Sequence, residues 1–459
     1  MASNNIKIHE HFKVVPPSSI QTTSIPLSFF DTFWLRFHPV ERIFFYTLPN
    51  SQSHPSFFFE KLIPKLKSSL SLTLKYFLPL AGNIVWHAES PNPIIQYTPN
   101  DGVSLLIAES NSNFNHVIEN SPHEASLSRS FIPHLESTDS FASIISLQIT
   151  IFPNSGFSIG ISTNHAVLDG KSITMFIKAW AYLCNKTNET NESPTLLPEL
   201  EPLFNREIIK DPNGLSVLLK DKLIEIMYKM FPNEKRNNRS LKMFPFEPKL
   251  KDYVRATFEL TCEDLDKIKQ RVLSTWELFD LGESRPKTLS SFVLACAYSS
   301  KLEPPIPNNY FGNCVLVLGY LVDTQSLDFI KEDGVILVTK SIHDKIKMLN
   351  DKGLIEGLKD SASKYSSLSS EKVEYIGLVG SNRFGVYETD FGWGKPAKVE
   401  IVSIDRGLTI GLAESKDGSG GVEVGLILNK NVMNLFSTLF REGLCINSDG
   451  IINQLPYIY

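Results

Sequence analysis

Residues 158–172, Ser-Ile-Gly-Ile-Ser-Thr-Asn-His-Ala-Val-Leu-Asp-Gly-Lys-Ser, change their period partway along, which narrows the folds open to this chain. Ile159 and Ile161 alternate with small residues, the two-residue repeat of a strand. After Gly170 the apolar residues Ile173, Phe176, Ile177, Trp180 and Leu183 recur at threes and fours, the stripe of a helix packed on a core. Ser143 to Phe152 reads as an earlier strand, and Pro153-Asn154-Ser155-Gly156 as the turn between the two. A hairpin that hands over to a buried helix is an α/β arrangement, and its corner carries His165 and Asp169. Such a corner aims side chains well, because rigid elements hold the loop at both ends. Histidine has the ordinary pKa nearest neutrality, so His165 is the candidate general base. Taken alone the motif is short, and a satisfied structural histidine at a strand end also explains it.

The chain of 459 residues is long enough for two or three domains with large cores. Its 42% hydrophobic and 21% charged residues are those of a soluble globular protein. A formal net charge of −5, with no Lys/Arg-dense patch, argues against nucleic acid as a partner. Met1 to Lys13 has no apolar core, so no signal peptide is expected. Apolar runs are strand-length, short of the roughly 20 residues a membrane span needs. Cys184, Cys262, Cys296, Cys314 and Cys445 are odd in number and far apart. That pattern predicts neither a disulfide framework nor a metal site, and it places the chain in the reducing cytoplasm. Three glycosylation-type triplets at Asn185, Asn188 and Asn191 read as polar linker.

The first fifty residues are Pro-rich and extended, with Phe44, Phe45 and Tyr46 in a first buried strand. Residues 56–78 read as a helix that Pro79 ends, with Pro64 kinking it or sitting in its first turn. Short strands follow around 93–98 and 102–108. Residues 185–203 are polar and aperiodic, which divides the chain into 1–184, a linker at 185–212, and 213–459. Residues 213–231 read as a helix and Pro232–Pro248 as a solvated loop carrying Lys235, Arg236 and Arg239. Tyr253–Leu260 and Cys314–Val322 read as strands. Helices are expected at Glu263–Leu273, at Leu289–Tyr298 (buried), and at Gly334–Leu349 with Ile342, Ile346 and Leu349 on one side. Strands at Lys398–Ile404, Leu408–Ala413 and Val422–Leu428 precede a last helix that carries Val432, Leu435, Phe436, Leu439 and Phe440. The run Lys416–Gly421 leads into a strand, so it reads as a hairpin turn and not a phosphate cradle.

Asp390-Phe391-Gly392-Trp393-Gly394 forms a second notable run, two glycines around a Trp marking a sharply bent loop. With His165-x-x-x-Asp169 far upstream, it resembles the BAHD family of plant acyl-CoA-dependent acyltransferases. Leu27-Ser28-Phe29-Phe30-Asp31 and Leu78-Pro79-Leu80-Ala81-Gly82-Asn83 are similar to that family's N-terminal signatures. Tyr310-Phe311-Gly312-Asn313-Cys314 resembles a run of the branch acting on anthocyanin and other phenolic glycosides, often with malonyl-CoA. The resemblance covers nearly the whole chain. It implies an α/β fold of two similar-sized chloramphenicol-acetyltransferase-like domains, with mixed sheets and a channel between them. It also implies a monomer with no bound cofactor, using malonyl-CoA or an aromatic acyl-CoA as co-substrate and a sugar hydroxyl of a phenolic glycoside as acceptor.

By that resemblance His165 is the general base, and Asp390 is either needed for turnover or holds a loop. The spacing of Asp169 invites a dyad in which it orients His165; the resemblance implies instead that it turns away and holds local structure through an ion pair, with Gly170, Gly392, Trp393 and Gly394 as further structural support. Ser290 and Ser291 match a position that contacts CoA in relatives; a helix N-cap is the plainer reading of them. Asn164 stands where many relatives have a second His, with little consequence expected. One departure is larger. Tyr298 is followed at once by Ser-Ser-Lys-Leu-Glu-Pro-Pro, where relatives carry roughly 20–30 further residues, about a strand and its connections. The alternative reading is therefore a catalytically impaired CoA- or glycoside-binding protein. A condensation-type domain shares His-x-x-x-Asp-Gly but lacks the downstream aromatic-glycine run.

Overall fold

The computed structural model describes residues 6–17, 21–187, 194–211, 224–225, 227–248, 250–276, 289–297, 304–322, 334–352, 373–407 and 409–444. A six-stranded mixed sheet runs in the order Ile6–Val14, Val103–Ser110, Ile145–Phe152, Gly156–Thr163, Val40–Thr47, Lys398–Ile401. The predicted hairpin lies at its centre, with Phe152 opposite Gly156 and Ile145 opposite Thr163. Every residue of both hairpin strands is buried, because each face of the sheet is covered. Phe157, Ile159 and Ile161 join the main core with the helices Ile63–Tyr76 and Gly170–Lys186. Ser158, Gly160 and Ser162 face the other way, where Ser162 Oγ donates to the Pro133 carbonyl at 2.8 Å. A Cβ on Gly160 would stand 1.9 Å from the Phe131 carbonyl oxygen, so only glycine fits there.

A second mixed sheet has seven strands: Val315–Val322, Leu289–Ala297, Val373–Ser381, Ile410–Glu414, Val422–Asn429, Tyr253–Leu260 and His123–Glu124. The two sheets exchange strands. Lys398–Ile401, late in the chain, edges the first sheet beside Val40–Thr47. His123–Glu124, early in the chain, edges the second beside Tyr253–Leu260. A third sheet of four short strands, Thr23–Pro26, Ile94–Tyr97, Asn83–Val85 and Phe141–Ser143, packs beside the first. Among the described residues, no helix is long and apolar enough to cross a membrane.

Several expectations are corrected. Leu289–Ala297 is a strand and not a buried helix. A nine-residue apolar run has no decisive period, and here two flanking strands offer it ladder partners. It pairs antiparallel with Val315–Val322 and parallel with Val373–Ser381, so neither neighbour is left open on that side. The junction after Tyr298 lies outside the described residues. Ile6–Val14 and Val373–Ser381 are strands the periodicity did not reveal. The helix at 56–78 is interrupted: a π-turn at Phe58–Leu62 precedes Ile63–Tyr76, and Pro64 sits in the first turn of the latter. Pro232–Pro248 is not simply solvated, since Leu241 and Phe244 are buried and Arg36 donates to the carbonyls of Asn237 and Lys242. The last helix stands as expected, at Lys430–Leu444, with Val432, Leu435 and Leu439 51%, 48% and 42% exposed. The stripe of Met433, Phe436 and Phe440 packs against Phe258 and its neighbours. The helix expected at Gly334–Leu349 runs over Gly334–Lys352, with Ile346 exposed; the side chain of Leu349 lies outside the described residues.

Candidate active site

His165 stands in the tight corner between Gly156–Thr163 and the helix Gly170–Lys186. Asn164 shapes that corner: its Oδ1 accepts from the Ala166 N–H at 3.0 Å, and its carbonyl accepts from Val167 N–H. The buried amide at position 164 is thus a structural clamp. Asp169 caps the helix, with Oδ1 accepting from the Ser172 N–H at 2.8 Å and Oδ2 from the Cys314 N–H at 3.3 Å. It has no ion-pair partner among the described residues, so its support comes from backbone amides and not the expected ion pair. Burial pushes the Asp169 carboxyl up, against the pull of those amides. Gly170 sets the helix start under Phe384, whose ring would lie 2.8 Å from a Cβ at this position.

The His165 ring lies flat on Trp34, with centroids 3.8 Å apart and planes within 1°. Phe37 meets it edge-on at 6.2 Å. Trp34 is fixed in turn by its Nε1, which donates to the Val315 carbonyl at 3.0 Å. Burial drives the His165 imidazole down to about 3, and His38 nearby acts in the same direction. His38 is itself brought down to about 4 by burial. Both rings are therefore neutral at pH 7, as a base must be before it takes a proton. His38 also lines a cavity of about 450 Å³ with His134, Glu136, Lys242 and Phe246.

A buried polar hub lies beneath this corner. Asp31 Oδ2 accepts from Arg206 Nε at 2.9 Å, and Oδ1 accepts from Asn313 Nδ2 at 2.9 Å. Asn313 Nδ2 also donates to the His165 carbonyl at 2.7 Å. Ser172 Oγ donates to the Gly312 carbonyl at 3.1 Å. Arg206 lies against Gly312, where a Cβ would fall 2.5 Å from its guanidinium carbon. Burial disfavours the Arg206 charge, but Asp31 more than offsets this and its pKa is raised. Sequence reasoning missed Trp34, His38 and Arg206. Asp31 and Asn313 lay inside quoted signatures without an assigned job. Arg206 sat in the presumed linker, where nothing marked it.

The aromatic-glycine run is a clasp on the first sheet. Asp390 Oδ1 accepts from the Gly392 and Gly394 N–H groups at 2.7 and 2.9 Å. Gly392 and Gly394 hold φ of 98° and 94°, a region that favours glycine. Phe391 is buried edge-on between Tyr46 and Trp180. Trp393 meets Phe157, under the Lys65 ammonium. Ser290 and Ser291 lie in a strand opposite Val322 and Leu321, not at a helix start.

The two exchanged-strand mixed sheets, with a neutral histidine at the strand-to-helix corner, define a chloramphenicol-acetyltransferase-like α/β protein. The solved structure of vinorine synthase shares that fold, at 19% identity and a TM-score of 0.64 over 94% of this chain and 96% of the other. So does TRI101 of F. graminearum, complexed with coenzyme A and T-2 mycotoxin (13% identity, TM-score 0.58, 91% and 97% covered). The model of the Transferase family matches residues 4–268 and 279–442. Phenolic glucoside malonyltransferase 1 of Arabidopsis thaliana is 36% identical over 96% of this chain and 98% of its own length. That alignment spans 473 positions, more than the 459 residues here, so it opens gaps against this chain. Agmatine coumaroyltransferase of the same plant is 33% identical over 95% and 99%. The chain belongs to the BAHD family of plant acyltransferases. It is an acyl-transferring enzyme whose co-substrate is an acyl-CoA.

Proposed function

We propose that this enzyme moves a malonyl group from malonyl-CoA to a sugar hydroxyl of a phenolic glycoside, flavonoid or anthocyanin. Relatives at 36% identity, named for phenolic glucosides and for anthocyanidin 5-O-glucoside, support that substrate class. The observation that carries the mechanism is the neutral His165 imidazole stacked on Trp34 at the strand-to-helix corner. His165 takes the proton of the sugar hydroxyl as its oxygen attacks the thioester carbonyl. The dry site disfavours an isolated imidazolium, but the oxyanion forming beside it supplies the missing counter-charge. His165 then returns the proton to the departing CoA sulfur. No covalent acyl-enzyme is needed.

Asp169 and Gly170 support this corner as helix cap and close-packed helix start, and Asp390, Gly392, Trp393 and Gly394 as a clasp between the halves. Asp390 is assigned to the clasp because its Oδ1 already accepts two backbone amides. Ser290 and Ser291 are assigned to CoA binding from a strand. The halves 1–184 and 213–459 are read as two domains joined through 185–212, in a cytoplasmic monomer.

The test is thiol release from malonyl-CoA with a panel of phenolic glucosides. Wild type turns over, and His165→Ala loses about 10²–10⁴-fold in kcat, the usual contribution of a positioned base. Equal thiol release by the two proteins removes His165 from the chemistry. CoA binding without any turnover in wild type favours the binding-protein reading.

A further inference from the structure

Asn313 bonds to two groups that can only accept. Its Nδ2 donates to the His165 carbonyl at 2.7 Å and to Asp31 Oδ1 at 2.9 Å. Its backbone N–H donates to the same Asp31 oxygen at 3.2 Å. Turning the amide over would set its oxygen against both acceptors, so the orientation is fixed by the network. Asn313 Oδ1 therefore points the other way, and it is buried with no hydrogen-bond partner among the described residues. His165 Nδ1 is also buried and has no fully formed hydrogen bond; its own carbonyl and the Asn313 side chain are the hydrogen-bonding groups that act on the ring. Leaving a polar atom unpaired in a dry site is costly. Here one orphan only accepts, the other can donate, and their residues are already joined through the His165 carbonyl.

We infer that Asn313 is the positioning residue for His165: its Oδ1 receives the Nδ1–H and so leaves the ring's lone pair on Nε2. The inference rests on His165 being the base of acyl transfer. The Asn313 side chain already acts on the ring as a hydrogen-bonding neighbour, and catalytic hydrogen bonds often tighten only when substrate is bound. Asp169, the residue whose spacing suggests this job, has both carboxylate oxygens engaged by the Ser172 and Cys314 amides. A neutral amide also does something a carboxylate cannot. It fixes the tautomer without supplying a counter-charge, so the imidazolium stays unstable and readily gives its proton to the leaving sulfur. The rival acceptor is His165's own carbonyl oxygen, which already accepts from Asn313 Nδ2.

The experiment is long-range proton–nitrogen correlation NMR on histidine-labelled protein at pH 7, with His165 assigned from the His165→Gln spectrum. Wild type should show neutral His165 with its proton on Nδ1. Asn313→Ala should shift it to a mixture or to Nε2–H. In the same variant kcat should fall about 10–100-fold, the usual cost of removing an orienting partner, with little change in KM for malonyl-CoA. An Nε2–H ring in wild type overturns the inference. So does an unchanged tautomer in folded Asn313→Ala, which would credit the ring's own carbonyl. If that variant does not fold, Asn313→Ser, which removes the amide oxygen but keeps a small polar side chain, is read by the same two outcomes. If wild type is inert toward malonyl-CoA and the glucosides, the substrate reading fails while the tautomer still judges Asn313.

Discussion

His165 is uncharged at neutral pH because it is buried among aromatic rings and, among the described residues, no carboxylate pairs with its imidazolium. This has a thermodynamic counterpart. Unfolded, the ring titrates near its ordinary 6.5; folded, it is held down to about 3. The unfolded chain therefore binds more protons in between, so this contribution is fully present above pH 6.5 and lost as pH falls toward 3. His38, brought down to about 4, acts with the same sign. Urea midpoints followed from pH 7.5 to 4 should fall, and fall less in His165→Gln than in wild type. Parallel curves for the two proteins would show that His165 is not what destabilises the acid form. The role of His165 was legible from residue type and its place at a change of period. Its partners were not: Trp34, Asn313 and Arg206 approach it or its support from remote parts of the chain, and no local pattern links them.

Among the elements, those specified by local period were read well. The hairpin, its turn, the helix Gly170–Lys186 and the strand Tyr253–Leu260 stand where alternation and apolar stripes placed them. Leu289–Ala297 went wrong because a short apolar run fits a helix or a strand equally, and available partners chose. Gly160 shows how tightly the central strand is covered. Gly160→Ala drives a methyl into the Phe131 carbonyl, and overpacking of this kind costs about 1–3 kcal/mol. A thermal melt should show the loss as a lowered Tm; an unchanged Tm would mean the segment over that strand yields freely.

At the scale of the whole molecule, the two large sheets are interlocked by strands from opposite ends of the chain. Lys398–Ile401 completes the first sheet, and His123–Glu124 edges the second. Charges follow the exchange: Arg406 reaches Glu41 at 2.8 Å, Arg129 bridges Glu41 and Asp405, and Arg255 lies 3.5 Å from Asp405. Breaking such buried pairs leaves uncompensated charge, so neither half should come apart alone. Calorimetry should give one transition with equal calorimetric and van't Hoff enthalpies. Two resolved transitions would show that the exchanged strands do not couple the halves. By itself the sequence determined the α/β class, the catalytic-type corner at His165 and the bent loop at Asp390–Gly394, because each is written in neighbouring residues through period and turn chemistry. The tertiary structure alone decided that Asp169 caps the helix, that Asn313 and Arg206 support the site, and which strand crosses to which sheet. Those outcomes depend on burial and on contacts between remote segments, where competing partners are compared in space and not along the chain.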